Sequence, residues 1–571
     1  MRRDLVFLTV IVAAACHTDS VVDPGNNPPA GFADAKSMNV GEVRVLTPSQ
    51  VPNGIELSAN AAVTDYLLVV ANTNTTLDVQ ANYVVKGNLF TDAALRTNVV
   101  PSNIIAVDGS VPDLQEAADA HIRAYERSHL TPSRALNTTR VPGAPRIAFV
   151  LSSGPVTVGQ QVPIKVPNEK TSDLCANFIP TTGTVKAVSA KAIIVLDNQA
   201  NQNAFTTADF TAIATEFDNV IYPTDSAYFG KPTDFDNNGR VVIYYTPEVN
   251  KLTERTSQSF IGGFFFGGDF FDPNKTTAQG GCPQSNQGEI FYLLAPDPAG
   301  TFGKTQSVIN VRQGTRGTVA HEFQHMINAG NRVLSNASAF ESVWLDEGLA
   351  HSAEDAVGRA VRGFGDFQTL TDTDVFPAGN ATAQEAYNAF FGQNLSRFKA
   401  WLARPDTSSP LSKHADQNLS TRGAIWALLR WTGDQYSGGN FRAYTKKLAA
   451  GPDTGVKNLT TVAAQPLDTL LAGWLVANFS DHTNIPGLLP KYNYVGYNMR
   501  SAVAGASSGT YPLAVTTLAS GASVTTKTLS GSGTYYKIVV PAGAGRTIIV
   551  QDPGGTTASF PGAHYYVLRI D

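Results

Sequence analysis

The sequence predicts a multidomain α+β protein: a core that joins a mixed sheet to a helical half, flanked by small all-β modules. Three observations carry this reading. At 571 residues the chain exceeds one ordinary domain. Short β-rich runs separated by Asn, Gly, Ser and Thr clusters occupy both ends. Between them lie apolar strand-like runs and then long segments with helical periodicity. The net charge is only −5, with 42 basic and 47 acidic residues spread evenly, so no nucleic-acid surface is expected.

The chain opens with a targeting pattern. Arg2 and Arg3 precede a short apolar run, Leu5 to Val12, too short for a comfortable membrane span. Ala13-Ala14-Ala15-Cys16 follows. It resembles a bacterial lipobox, in which Cys16 is lipidated and becomes the mature N-terminus, although Ala13-x-Ala15 equally suits ordinary signal peptidase. The chain has three cysteines, and lipidating Cys16 leaves Cys175 and Cys282 as an even pair able to form a disulfide outside the cytoplasm. Residues 1–16 are thus read as a lipoprotein-type signal peptide, with a lipid anchor to a bacterial membrane as the expected partner. Residues 17–36, polar and rich in Pro and Gly, are read as a flexible tether.

Residues 37–140 are expected to form an N-terminal β-rich domain with a trailing helix. Val43 to Leu46, Tyr66 to Val70 and Leu77 to Val85 read as strands of a small sandwich. Leu114, Ala118, Ile122 and Tyr125 mark one amphipathic helix leading out of it. His121 and His129 have no partner at metal spacing.

The main unit is expected over 141–505. Arg146 to Leu151, Lys191 to Leu196 and Val241 to Thr246 read as strands, and Thr207 to Phe217 as a helix. Asp234, Asp236 and Asn238 stand in a D-x-D-x-N-G pattern like half of a Ca2+ loop. Tyr245 stands where an EF-hand would need Glu, and an Asx turn needs no ion. The aromatic run Phe260 to Phe271 reads as a mobile loop near a cleft or as core packing. Gln287 to Leu294 reads as a strand, either an edge able to accept an extended peptide or an interior one.

The chemistry sits in Gly317 to Gly330, which holds His-Glu-x-x-His. Val319, Phe323, Met326 and Ile327 form an apolar helical stripe, with Gly330 as the expected stop. Residues four apart stack on one helix face, so His321 and His325 can address one metal ion. Glu322 lies about 100° further round, off the ligand line but within reach of a water on that metal. Zinc chemistry wants two neutral nitrogens, a third protein ligand, an open position and a nearby carboxylate.

The third ligand is sought downstream. Ser338 and Glu341 suggest a capping box opening a second helix. Phe340, Val343 and Trp344 start its buried stripe, and Glu347 continues it. A carboxylate on a buried stripe must be neutralised, and a metal on the preceding helix is the available partner. Further on, Gly423 to Trp431 and Leu467 to Phe479 read as strongly apolar helices. Arg422 at the start of the first suits a surface salt bridge or an oxyanion contact. Residues 506–571 return to Gly, Ser and Thr, with strands around Tyr535, Thr547 and Tyr565, and are read as a C-terminal β domain.

The segments HEFQHMIN and WLDEGLAHSAED resemble the gluzincin metallopeptidases, and specifically the hyicolysin-type neutral zinc peptidases. The resemblance implies a zincin-like core and one catalytic Zn2+ on His321, His325 and Glu347, with Glu322 as catalytic base. It implies an extracytoplasmic endopeptidase, membrane-anchored or secreted, acting on a protein or peptide substrate. The Gly-x-Met-Glu-Asn signature of the related aminopeptidases has no match, which favours an endopeptidase. The chain also departs from the pattern. Many thermolysin-like enzymes carry an Asp four residues after the ligand Glu, where this chain has His351. His351 and Glu354 share a face with Glu347, so either can buttress a ligand. The competing expectation, of a different class, is a catalytically silent adhesion or glycan-binding lipoprotein on the same scaffold. The flanking β modules suggest it and the intact Glu322 speaks against it.

Overall fold

The computed structural model describes residues 37–88, 114–130, 155–234, 236–336, 338–412, 419–506, 509–555 and 560–571. The signal peptide with Cys16, the tether and the strand expected at 146–151 lie outside the described residues.

The two flanking modules do not stand apart. β1 (Val43–Leu46), β2 (Ile55–Leu57), β3 (Thr64–Asn72) and β4 (Gln80–Asn88) interleave with five strands from the far end of the chain. These are β11 (Val515–Thr517), β12 (Ser523–Leu529), β13 (Ser532–Val540), β14 (Arg546–Gln551) and β15 (Ala563–Arg569). One sheet runs β1-β15-β3-β13-β11 and the other β12-β4-β14-β2. β3 is the reason. Its run Leu67 to Ala71 is fully buried, so it needs a neighbour on each edge, and β13 and β15 supply them. Tyr66, Leu68, Val70, Tyr83, Val85, Ile538 and Ile548 fill the space between the sheets. The expected pair of β domains is therefore one sandwich, a pairing across more than 400 residues that local pattern does not reveal.

The central sheet runs β5-β6-β7-β8-β10-β9. β7 (Ala192–Asp197), β8 (Val241–Thr246) and β10 (Ile290–Leu294) are parallel, and their continuous apolar runs are buried on both faces as parallel strands require. β5 (Gln161–Pro167) and β6 (Phe178–Val188) extend one side antiparallel. β9 (Gly263–Phe265) pairs antiparallel with β10 and closes the other side. The expected cleft strand at 287–294 is thus interior, and the edge falls in the aromatic run read as a loop or core packing. Three residues, the first of them a glycine, carry too short a pattern to announce a strand.

The helices that bear on the site are α1 (Leu114–His129), α2 (Thr207–Glu216), α3 (Tyr222–Phe229), the single turn α4 (Pro247–Asn250), α5 (Val308–Ala329) and α6 (Val343–Arg362). The helices expected in the lower half are present at Leu419–Tyr436 and Leu467–Ser480, with Trp426, Trp431 and Trp474 fully buried. Ser307 caps α5 by accepting from the Asn310 amide at 3.1 Å. Gly330 does not stop it: the chain stays right-handed and continues as a π turn over Gly330–Ser335. The capping box at Ser338 and Glu341 is also absent, and α6 starts at Val343. Glu341 is instead buried against Arg332 at 3.2 Å, where it accepts from the Gly455 amide and from Asn458.

Cys175 and Cys282 are joined, with Cα atoms 4.6 Å apart. Closing a loop of this size contributes up to ~4.7 kcal/mol in the chain-entropy account. Among the described residues no helix is long and apolar enough to cross a membrane.

Candidate metal centre

α5 and α6 lie side by side and bring the two sequence motifs together. His321, His325 and Glu347 each offer one atom, and these atoms all lie within 4.8 Å of one another. Nε2 of His321 is 3.3 Å from one Glu347 oxygen, and Nε2 of His325 is 3.7 Å from the other. All three side chains are buried. Among the described residues, both Nε2 atoms and Oε1 of Glu347 lack hydrogen-bond partners. Buried lone pairs left unpaired carry a desolvation cost that a cation removes, so the residues present fit a metal ion.

The outer nitrogen of each imidazole faces a carboxylate. Nδ1 of His321 lies 2.8 Å from Glu354 Oε1, and Nδ1 of His325 lies 3.1 Å from Asp346 Oδ2. The Glu354 hydrogen bond holds the His321 ring at Nδ1 with Nε2 inward, as ligand histidines are usually oriented, whereas Asp346 lies beside His325 without hydrogen-bond geometry. Of the two candidates, Glu354 makes the direct contact. His351 supports it from behind, with Nδ1 3.1 Å from the same Glu354 oxygen and Nε2 3.1 Å from Arg397 Nη1. Arg397 can only donate, so Nε2 of His351 accepts and Nδ1 carries the proton. Burial first, with Arg397 and His321 also acting, pulls His351 down to about 3. Burial works against ionised Glu354, but the flanking histidines outweigh it and hold the carboxylate down at about 2. Asp346 escaped sequence reasoning, although its place directly before Glu347 was a usable signal.

A second layer was not anticipated. Arg422, expected at the surface or at an oxyanion, is buried. Its Nη1 is 3.0 Å from Glu347 and 3.1 Å from Asp119 of α1, and its Nε is 3.3 Å from Glu116 of α1. Two glycines allow the helix approach. A Cβ on Gly348 would meet Ile425 Cγ1 at 2.5 Å, and one on Gly423 would meet the Phe398 amide nitrogen at 2.1 Å. Burial acts to raise Glu347, but Arg422 and the histidines overcome it and hold this carboxyl well below its usual range.

Glu322 points the other way, toward the sheet edge. Its Oε2 accepts from the Phe265 amide at 2.9 Å and lies 3.5 Å from Arg123 Nη2 of α1. Burial and then the negative charge of Asp119 push Glu322 above the usual carboxylate range.

Asp234, Asp236 and Asn238 do not converge on an ion site. Asp236 and Asp234 accept the amides of Asn238 and Gly239, Asn238 accepts from Arg240, and Asp234 is exposed. These are turn-closing bonds that need no cation. His121 pairs with Glu169 and His482 with Asp481, both away from the centre.

The fold and the site thus define a candidate metal centre of two histidines and a glutamate, with a second glutamate beside it. The chain is similar to Neutral metalloprotease ShpI of Staphylococcus hyicus, 34% identical over 143 residues. That alignment covers 25% of this chain and 29% of the relative, so the chain spans less than a third of the length of the protein it matches. The similarity relates this chain to a metallopeptidase. No family model matches the chain.

Proposed function

We propose that the protein is a zinc-dependent endopeptidase of the hyicolysin type, working outside the cytoplasm. The observation that carries this is the convergence of His321, His325 and Glu347, with unpartnered lone pairs, next to a buried Glu322. The partial similarity to a metalloprotease supports the same reading. The Cys175–Cys282 bond supports an oxidising compartment.

In this reading His321, His325 and Glu347 hold the ion, Glu354 fixes the His321 ring, and Asp346 stands beside the ring of His325. Zinc bound there supplies Lewis acidity, which acidifies a water and polarises a carbonyl oxygen. Glu322 takes a proton from the attacking water as the new C–O bond forms. As the C–N bond breaks, Glu322 delivers that proton to the leaving amine. The Phe265 amide, which now donates to Glu322, belongs to the sheet edge along which an extended peptide would run.

The reading is tested by metal analysis of the purified chain together with casein cleavage, with and without a chelator. Expected are one zinc per chain and cleavage that stops on chelation and returns on adding zinc. Stoichiometric zinc with no cleavage of any peptide would favour a silent binding scaffold instead.

A further inference from the structure

The helix expected merely to lead out of the N-terminal β region lies against the candidate centre, and more than half of its buried residues carry charge. Of its seven buried residues, Glu116, Asp119, Arg123 and Glu126 are ionisable. The other three, Ala118, Ile122 and Tyr125, join the core, so the helix buries an apolar stripe and a charged one side by side.

What the helix touches is specific. In the edge strand β9 the outward backbone groups belong to Gly263 and Phe265, since Phe264 faces β10. The Gln115 carboxamide donates to the Gly263 carbonyl at 2.7 Å. Its oxygen accepts from the Gly262 and Gly263 amides at 2.7 and 3.4 Å. Arg123 donates to the Phe265 carbonyl at 3.2 Å and lies beside Glu322, which holds the Phe265 amide. A carboxamide is a peptide group carried on a side chain. Gln115 therefore satisfies β9 as an added strand would. One turn on, Asp119 reaches Arg422 at the guanidinium nitrogen that also holds Glu347.

The space left is small. An opening of about 200 Å³, bounded by Gln115 and Asp119, reaches His321 and Glu322. Clefts that take even a drug-sized ligand are usually about 300–1,000 Å³. With α1 in place, a peptide spanning both sides of Glu322 has no path along β9.

We propose that α1 is an intramolecular inhibitor. It occupies the groove of an extended peptide substrate along the outer edge of β9, so the folded chain cleaves slowly, only through the minor population in which α1 has left. This rests on the peptidase reading above and adds its regulation.

Two measurements on the zinc-loaded full chain test it. Gln115→Ala removes the contacts to β9 without touching a candidate ligand or Glu322. It is expected to raise kcat/KM on a fluorogenic peptide about tenfold or more, with unchanged zinc content, because the closed state loses hydrogen bonds that the open state lacks. Hydrogen exchange of the unsubstituted chain is read with and without a saturating tripeptide hydroxamate, its binding followed by calorimetry. Exchange across 114–130 is expected to speed up at least about tenfold when the probe binds. Bound hydroxamate with 114–130 still protected, or a well-folded Gln115→Ala protein no faster than a measurably active parent, overturns the proposal. Failure of the peptidase reading looks different: the probe displaces α1, zinc is present, and no peptide is cut.

Discussion

His321 Nδ1 and Glu354 Oε1 lie 2.8 Å apart, and the same glutamate oxygen is 3.1 Å from His351 Nδ1. Glu354 is thus the hydrogen-bonding buttress, and His351 bonds the same oxygen while its ring packs edge-on against that of His321, with centroids 4.8 Å apart. Glu354→Ala is expected to weaken zinc binding by about ten- to a hundredfold. His351→Ala should cost less, and the double variant should lose less than the sum of the two, because both histidines meet at the same glutamate oxygen. Competition with a chromophoric zinc chelator measures all three. Additive losses would mean that His351 supports the centre by another route.

Arg422 lies within ion-pair distance of Glu347, Asp119 and Glu116, and all four side chains are buried. Replacing it by Met leaves buried carboxylates without their cation, a change that costs about 3–5 kcal/mol when one partner of a buried pair is removed. Urea unfolding of the metal-free protein is the measurement. A shift under about 1 kcal/mol would show that surface-type pairing is all that Arg422 provides.

The candidate site was legible where its chemistry is local. His321, Glu322 and His325 sit within one turn of one helix, so spacing alone aligns them. Glu347 was legible because a carboxylate on an apolar stripe demands a partner. Arg422 was not, since one of its partners, Asp119, lies 303 residues away. The merged sandwich escaped for the same reason: β3 and β13 each carry a satisfactory strand pattern, and nothing in either says that they pair. The edge strand β9 was hidden by its shortness, and α1 was read correctly as a helix but with no hint of what it covers.

Asp269 supplies a pH dependence away from the centre. Burial raises its carboxyl to about 6, although Tyr292 and Asn286 donate to it. The folded value lies above the unfolded one of about 3.9. The folded state therefore binds more protons between these values, and stability falls as pH rises from about 4 to 6. Asp269→Asn lacks this slope. Its stability relative to the parent should improve by about 3 kcal/mol between pH 4 and pH 7, any constant loss of hydrogen bonds cancelling in the comparison. Denaturant titrations at the two pH values check it, and a pH-independent difference would contradict it.

The central claim is that Glu322 moves the proton at a centre held by His321, His325 and Glu347. Glu322→Gln keeps the shape of the side chain and removes its basicity. Combined with Gln115→Ala to open the cleft, it should bind one zinc per chain with the affinity of Gln115→Ala alone, while peptide cleavage falls by about a hundredfold or more. Cleavage at the rate of Gln115→Ala alone, with zinc still bound, would contradict the account.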